Sequence, residues 1–200
     1  MTVTVASVEA QPSTPQRPPF WLRLSLTAGN LIQLAGLTLG STLLILGSQI
    51  AGSAWMLKTG VMLAGRFPIY VCCHAIAHWA VGRLVGIEFR GYGLRGTDHP
   101  EDYPPVVRRF MLALPTFTVM TRKESMKQAR PVARALMFGA GETSTAVCSI
   151  LAALYTWLSG YPFGGQLFVA MVIFNAVSTV VTARVPRGDY AKARKALRAA

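Results

Sequence analysis

Carboxylates are what this chain has least of: 8 Asp and Glu stand against 20 Lys and Arg, for a formal net charge of +12 over 200 residues. Only 14% of residues carry charge while 52% are hydrophobic, and the mean hydropathy is +0.40. Charge this sparse leaves long apolar runs that a water-soluble domain of this size would have to expose, so the composition points to a bilayer. Cysteine is scarce as well. Cys72, Cys73 and Cys148 all lie in apolar stretches and two are adjacent, which argues against a disulfide framework and for reduced, small hydrophobic side chains. Repeats at solenoid spacing are absent, as is a phosphate-binding loop. The run Gly91-Tyr92-Gly93-Leu94-Arg95-Gly96 has the glycine spacing of a nucleotide loop but no helix start behind it. Nor does the basic excess call for a nucleic-acid partner, because the Lys and Arg residues flank apolar spans where anionic lipid accounts for them.

What is present reads as an all-α polytopic membrane protein with four transmembrane helices. Residues 1–22 hold Pro12, Pro15, Pro18 and Pro19 among small polar residues and cannot bury enough apolar surface to offset ordering, so a disordered cytoplasmic tail is expected there. No basic n-region precedes an apolar h-region, so the tail does not read as a signal peptide. Phe20 and Trp21 between Arg17 and Arg23 form an interfacial anchor. Residues 23–200 are then a single membrane domain. From Leu24 to Leu57 there is no charged residue, which places a first helix near residues 30–50, with Gly36 and Gly40 one turn apart where another helix can come close.

A second helix is expected near residues 67–87, starting or kinked at Pro68. Residues 88–134 read as a cytoplasmic loop. It opens on a short strand-like piece from Glu88 to Arg95 and continues into a turn-rich acidic segment containing His99, Asp98 and Glu101, a minor metal candidate. Val106 to Ala129 mixes basic and apolar residues in the pattern of short helices lying on a membrane surface. Between Arg134 and Arg184 the only charged residue is Glu142, which gives a hairpin of two helices near residues 135–158 and 166–184. Tyr155, Trp157, Tyr161 and Phe163 make an aromatic belt about its turn. That turn carries no Lys or Arg, whereas residues 88–134 and the tail after Ala183 are rich in both, so both termini are expected on the cytoplasmic side of the cell membrane.

Chemistry concentrates at Cys73-His74-Ala75-Ile76-Ala77-His78. On a helix His74 and His78 share a face, so both imidazoles can reach one metal ion. In the helical zinc-protease motif H-E-x-x-H the residue after the first His is a Glu acting as general base; here it is Ala75. Glu142 is an intramembrane carboxylate and a functional candidate by position.

The His74-x-x-x-His78 helix, followed by Gly82-Arg83-Leu84-Val85-Gly86-Ile87, resembles the metal-binding helix of the site-2 proteases, a family of intramembrane zinc metalloproteases. Arg130 to Gly141 resembles the family's next helix, with Glu142 in place of the usual Pro. Asn175 and Pro186-Arg187-Gly188-Asp189-Tyr190 resemble the last motif, Asn-x-x-Pro then Asp-Gly, with Tyr190 where Gly is usual. The resemblance spans roughly Phe67 to Leu197 and implies a zinc ion held by His74, His78 and Asp189. The missing Glu is not a ligand in that set; it takes a proton from the attacking water, and losing a general base costs about two to four orders of magnitude in rate.

The expectation is therefore a site-2-protease-like membrane protein without ordinary proteolysis, acting as a non-catalytic or regulatory subunit beside other membrane proteins. The alternatives are an active protease, with Glu142 substituting as base or Ala75 standing where the natural gene encodes Glu, a metal-transport path, and a histidine pair that merely bonds its neighbours.

Overall fold

A computed structural model describes residues 19–97, 101, 105–113 and 115–199. Strand β1 (Leu22–Leu24) leads directly into helix α1 (Leu26–Gln49), where Ser25 caps the first turn by accepting the Ala28 N–H at 3.2 Å. After a single 3₁₀ turn over Gly52–Ala54, helix α2 runs from Trp55 to Leu84. The helix expected from residue 67 thus begins at Trp55 and continues through Pro68. Within an apolar run the backbone finds no better partner than the helix itself, so the one hydrogen bond removed by proline does not end it. What ends α2 is Gly86, whose φ of +84° reverses the chain and lets the Ile87 N–H bond the Gly82 carbonyl at 2.8 Å.

Three strands follow the order β1-β2-β3, both pairs antiparallel, with β2 at Phe89–Arg95 and β3 at Thr116–Thr121. Only β2 was expected from the sequence. β1 straddles the expected boundary between tail and membrane domain at residues 22 and 23, and β3 lies between α3 (Pro105–Ala113) and α4 (Lys123–Gln128), inside the stretch expected to be surface helices. Residues 1–18 of the expected tail lie outside the described residues.

Helices α5 (Pro131–Leu158) and α6 (Gly164–Arg184) form the expected hairpin, and α7 (Asp189–Arg198) follows after a short turn. By length and composition α1, α2 with its leading 3₁₀ turn, α5 and α6 are each able to cross a membrane. Connectivity puts the sheet and α7 at one end of the bundle, where α1 and α5 begin and α2 and α6 end.

Packing explains how so few large side chains hold the bundle. A Cβ on Gly40 would stand 2.6 Å from the Gly65 carbonyl oxygen, and one on Gly65 would stand 2.7 Å from the Gly40 oxygen. The backbones of α1 and α2 therefore meet directly, as the Gly36/Gly40 spacing anticipated. One core cluster joins Leu44, Met62, Ile69 and Ala152 within the bundle. The other joins Ile87, Phe89 and Met137 where the sheet meets α5. At the far end Ser48 bonds Tyr155 at 3.0 Å and Thr59 bonds Tyr161 at 2.7 Å, so two of the expected belt aromatics tie the hairpin to the first two helices.

Candidate metal centre

Helical periodicity puts His74 and His78 on the face of α2 that meets α5, and α7 starts with Asp189 opposite them. Three atoms converge: His78 Nε2 lies 3.1 Å from His74 Nε2 and 3.0 Å from Asp189 Oδ2, and His74 Nε2 lies 3.2 Å from the same oxygen. Tetrahedral coordination with metal–ligand bonds of about 2.0–2.2 Å separates neighbouring ligand atoms by roughly 3.2–3.6 Å. The triangle is within a few tenths of an ångström of that spacing, so the group can hold a metal ion.

The proton inventory supports the same reading. His78 Nδ1 faces the Met137 carbonyl at 2.6 Å, and since a carbonyl only accepts, this nitrogen carries a proton. Thr145 gives its hydroxyl proton to the Gly141 carbonyl at 3.0 Å, so at 3.1 Å from His74 Nδ1 it accepts. Both neutral imidazoles then turn unprotonated Nε2 atoms toward each other and toward a carboxylate. Three acceptors this close repel unless a cation sits among them, either a metal ion or added protons. Partners that fix the outer ring nitrogen are also what orients histidine ligands in metal sites.

Asp189 is held from its other side, where Lys192 Nζ lies 3.1 Å from Oδ1. Burial alone would raise its pKa, but the His74 and His78 rings, once an Nε2 carries one of those added protons and donates it to the carboxylate, and the charge of Lys192 hold it well below the usual carboxylate range. Space for the His78 ring comes from Gly141, where a Cβ would lie 2.6 Å from Cε1 and 2.7 Å from Cδ2. The His74 side chain remains 30% exposed against 8% for His78, so the centre is open on the His74 side. It opens into a cavity of about 860 Å³ lined by α2, α5, α6, β3 and the start of α7.

Sequence reasoning named His74, His78 and Asp189, and the fold brings them together across 111 residues of chain. Ala75 is fully buried and does not line the cavity. Glu142 does line it, together with all three candidate ligands, and its carboxylate makes no hydrogen bond to another described residue. Asn175 stands apart from the triangle, buried and bonded to the Met171 carbonyl at 2.7 Å and to Ser149 Oγ at 3.2 Å. Tyr190, at the unusual position of the last motif, bonds Thr143 at 3.1 Å. His99 lies outside the described residues. Missed at the sequence level were Thr145, Gly141 and Lys192. The first two are spaced one helical turn apart in α5, a signal that gains meaning only once α5 is known to face the histidines.

No protein-family model matches this chain, and no curated protein or solved structure is significantly similar to it. The class that fold and site define is therefore a coarse one: a bundle with four helices of membrane-spanning length and a His-His-Asp group able to bind a metal ion.

Proposed function

We propose that this chain is a multi-pass membrane protein of site-2-protease-like fold that retains a zinc site and lacks ordinary proteolytic activity, serving as a non-catalytic or regulatory subunit among other membrane proteins. The single observation that carries this reading is the all-acceptor triangle of His74, His78 and Asp189, with a buried alanine following the first histidine. Zinc would be held by His74 Nε2, His78 Nε2 and an Asp189 oxygen, and when bound it would supply Lewis acidity at the open side. Around it Met137 and Thr145 keep the imidazoles in the Nδ1–H tautomer, Lys192 offsets the carboxylate charge, and Ala75 offers no proton acceptor. A membrane setting is supported by the outward faces of the long helices, where Leu31, Leu39, Leu46, Ile173, Val177 and Val181 are all exposed.

Elemental analysis of the purified full chain tests the reading. One zinc per chain is expected, falling to near zero in His74→Ala and Asp189→Ala, with no zinc-dependent cleavage of a membrane-segment peptide by the unmodified chain. Zinc-dependent, His74-dependent cleavage would refute the non-catalytic part, and zinc-free protein that stays zinc-free on reconstitution would refute the metal site.

A second reading rests on Glu142, which borders the same cavity as the three ligands. In it Glu142 accepts the proton that Ala75 cannot, and the chain is an active intramembrane protease. Any cleavage found in the assay above must then vanish in Glu142→Gln while zinc content stays at one per chain; cleavage that survives the substitution removes this reading.

A further inference from the structure

Arg66 has no part in the metal centre. It sits eight residues before His74 on α2, about 12 Å along the axis, and lines the other end of the same cavity. Its Nη2 makes one long bond of 3.4 Å to the Ser149 carbonyl, and its Nη1 is buried without a hydrogen-bond partner. The ion pairs formed among the described residues use other side chains, so no described carboxylate neutralises it. Its polar neighbours supply no anion either: Ser149 Oγ accepts from Asn175 and points its own proton toward Met171 Sδ.

An unpaired guanidinium deep in an apolar helix is costly and marks a place where a ligand brings the missing charge. The surrounding wall is hydrocarbon, made by Leu63, Phe67, Ile69, Ala152, Met171 and Phe174. Helices α2 and α6 both border the cavity, yet α2 packs on α1 and α5, α6 packs chiefly on α5, and the two barely touch each other. Phe67 on α2 and Phe174 on α6 are 60% and 50% exposed at this border. The cavity is therefore flanked by a sideways slot between two apolar helices.

We propose that the Arg66 end of the cavity binds a long-chain monocarboxylate, a fatty acid, with its carboxylate on the guanidinium and its alkyl chain along the apolar wall. The planar fork of arginine matches a carboxylate bidentately. A single acyl chain can enter from lipid between α2 and α6, whereas a two-chain phospholipid would have to drag its hydrated headgroup to the same depth. The volume of about 860 Å³ falls in the range of sites built for one such ligand.

The test is equilibrium binding of radiolabelled palmitate to the purified full chain in non-ionic detergent. Saturable one-to-one binding is expected, with methyl palmitate at least tenfold weaker. Arg66→Gln should weaken palmitate at least tenfold and erase the difference between acid and ester, while Arg66→Lys should keep the preference at reduced affinity. Equal affinity for acid and ester in the unmodified chain overturns the proposal without recourse to any variant, and so does undiminished palmitate binding by a folded Arg66→Gln protein. An apolar helical peptide with one central Glu that displaces palmitate more effectively than unlabelled palmitate does would assign the slot to a protein partner and overturn it too. None of these readouts depends on zinc, so failure here leaves the metal site standing.

Discussion

At the scale of single residues the site is a matter of room and protons. Of the two glycines on α5, Gly141 is the one where a methyl group would strike the His78 ring, within 2.7 Å of two ring carbons besides Nε2 itself. Gly141→Ala is therefore expected to tilt the imidazole out of the triangle and cut zinc content below half a molar equivalent. Its effect on thermal stability should be only that of modest overpacking, about 1–3 kcal/mol. Elemental analysis alongside a thermal melt separates the two effects. Tyr92 offers a pH signature away from the metal. Fully buried, it donates to Asn30 Oδ1 at 2.6 Å, and burial pushes its phenol up to about 12. A group whose folded pKa is raised contributes stability that is intact below its unfolded pKa, near 10, and is lost as pH climbs toward 12. Melts taken from pH 9 to 12 should show on the order of 2 kcal/mol lost by the unmodified chain beyond what Tyr92→Phe loses over the same interval. Parallel slopes for the two proteins would contradict the assignment.

At the scale of elements, much was legible and some was not, for reasons that differ by element. The four long helices follow from apolar runs that carry few charges, a signal that length and composition supply without any tertiary context. Strand β3 was hidden: Thr116-Phe117-Thr118-Val119-Met120-Thr121 alternates as a strand should, but Arg108, Arg109, Arg122 and Lys123 around it gave the whole stretch the look of surface helices. β1 spans 3 residues, too short for any periodicity to register, and exists only because β2 is there to pair with it. The start of α2 was masked by Pro68, a local signal overridden by an apolar setting. Lys58 shows a further element-scale device that composition conceals. Buried at 5% exposure, its Nζ donates to the Ser48 carbonyl at 3.3 Å and the Ser159 carbonyl at 3.4 Å, bridging the C-terminal ends of α1 and α5. A cation is favourable against the unsatisfied carbonyls and negative dipole at a helix end. Lys58→Met keeps the stem's volume and removes the charge, so a loss of about 1–2 kcal/mol is expected, read as an earlier midpoint in denaturant. An unchanged midpoint would mean the two helix ends are held by the Ser48–Tyr155 and Thr59–Tyr161 bonds alone.

At the scale of the molecule, the candidate ligands, the sheet and the basic α7 gather at one end of the bundle, and the turn without Lys or Arg closes the other. On the membrane reading, single-cysteine variants at Ser13 and at Ala199 should both be labelled by an impermeant maleimide only after spheroplasts are opened, while one at Ser159 is labelled from outside. Labelling of Ser159 and Ala199 from the same side would exclude the four-span topology. The His74–His78 pair was legible in the sequence because both ligands lie on one helix. Asp189 was reachable only through a resemblance, since nothing local to Gly188-Asp189-Tyr190 says that α7 will fold back against α5.

That long-range closure makes the centre a latch as well as a site. Asp189 is the first residue of α7, and an ion joining it to His78 would staple a loop of 111 residues. In chain-entropy terms cross-linking a loop of this length is worth on the order of 4 kcal/mol, less whatever the bilayer has already constrained. Without the staple α7 is an amphipathic helix tethered by a short turn, seated by Ala191, Ala196 and the Tyr190–Thr143 bond. Metal availability would then set how firmly the C-terminal helix is clasped, a use for the ion that needs no catalysis.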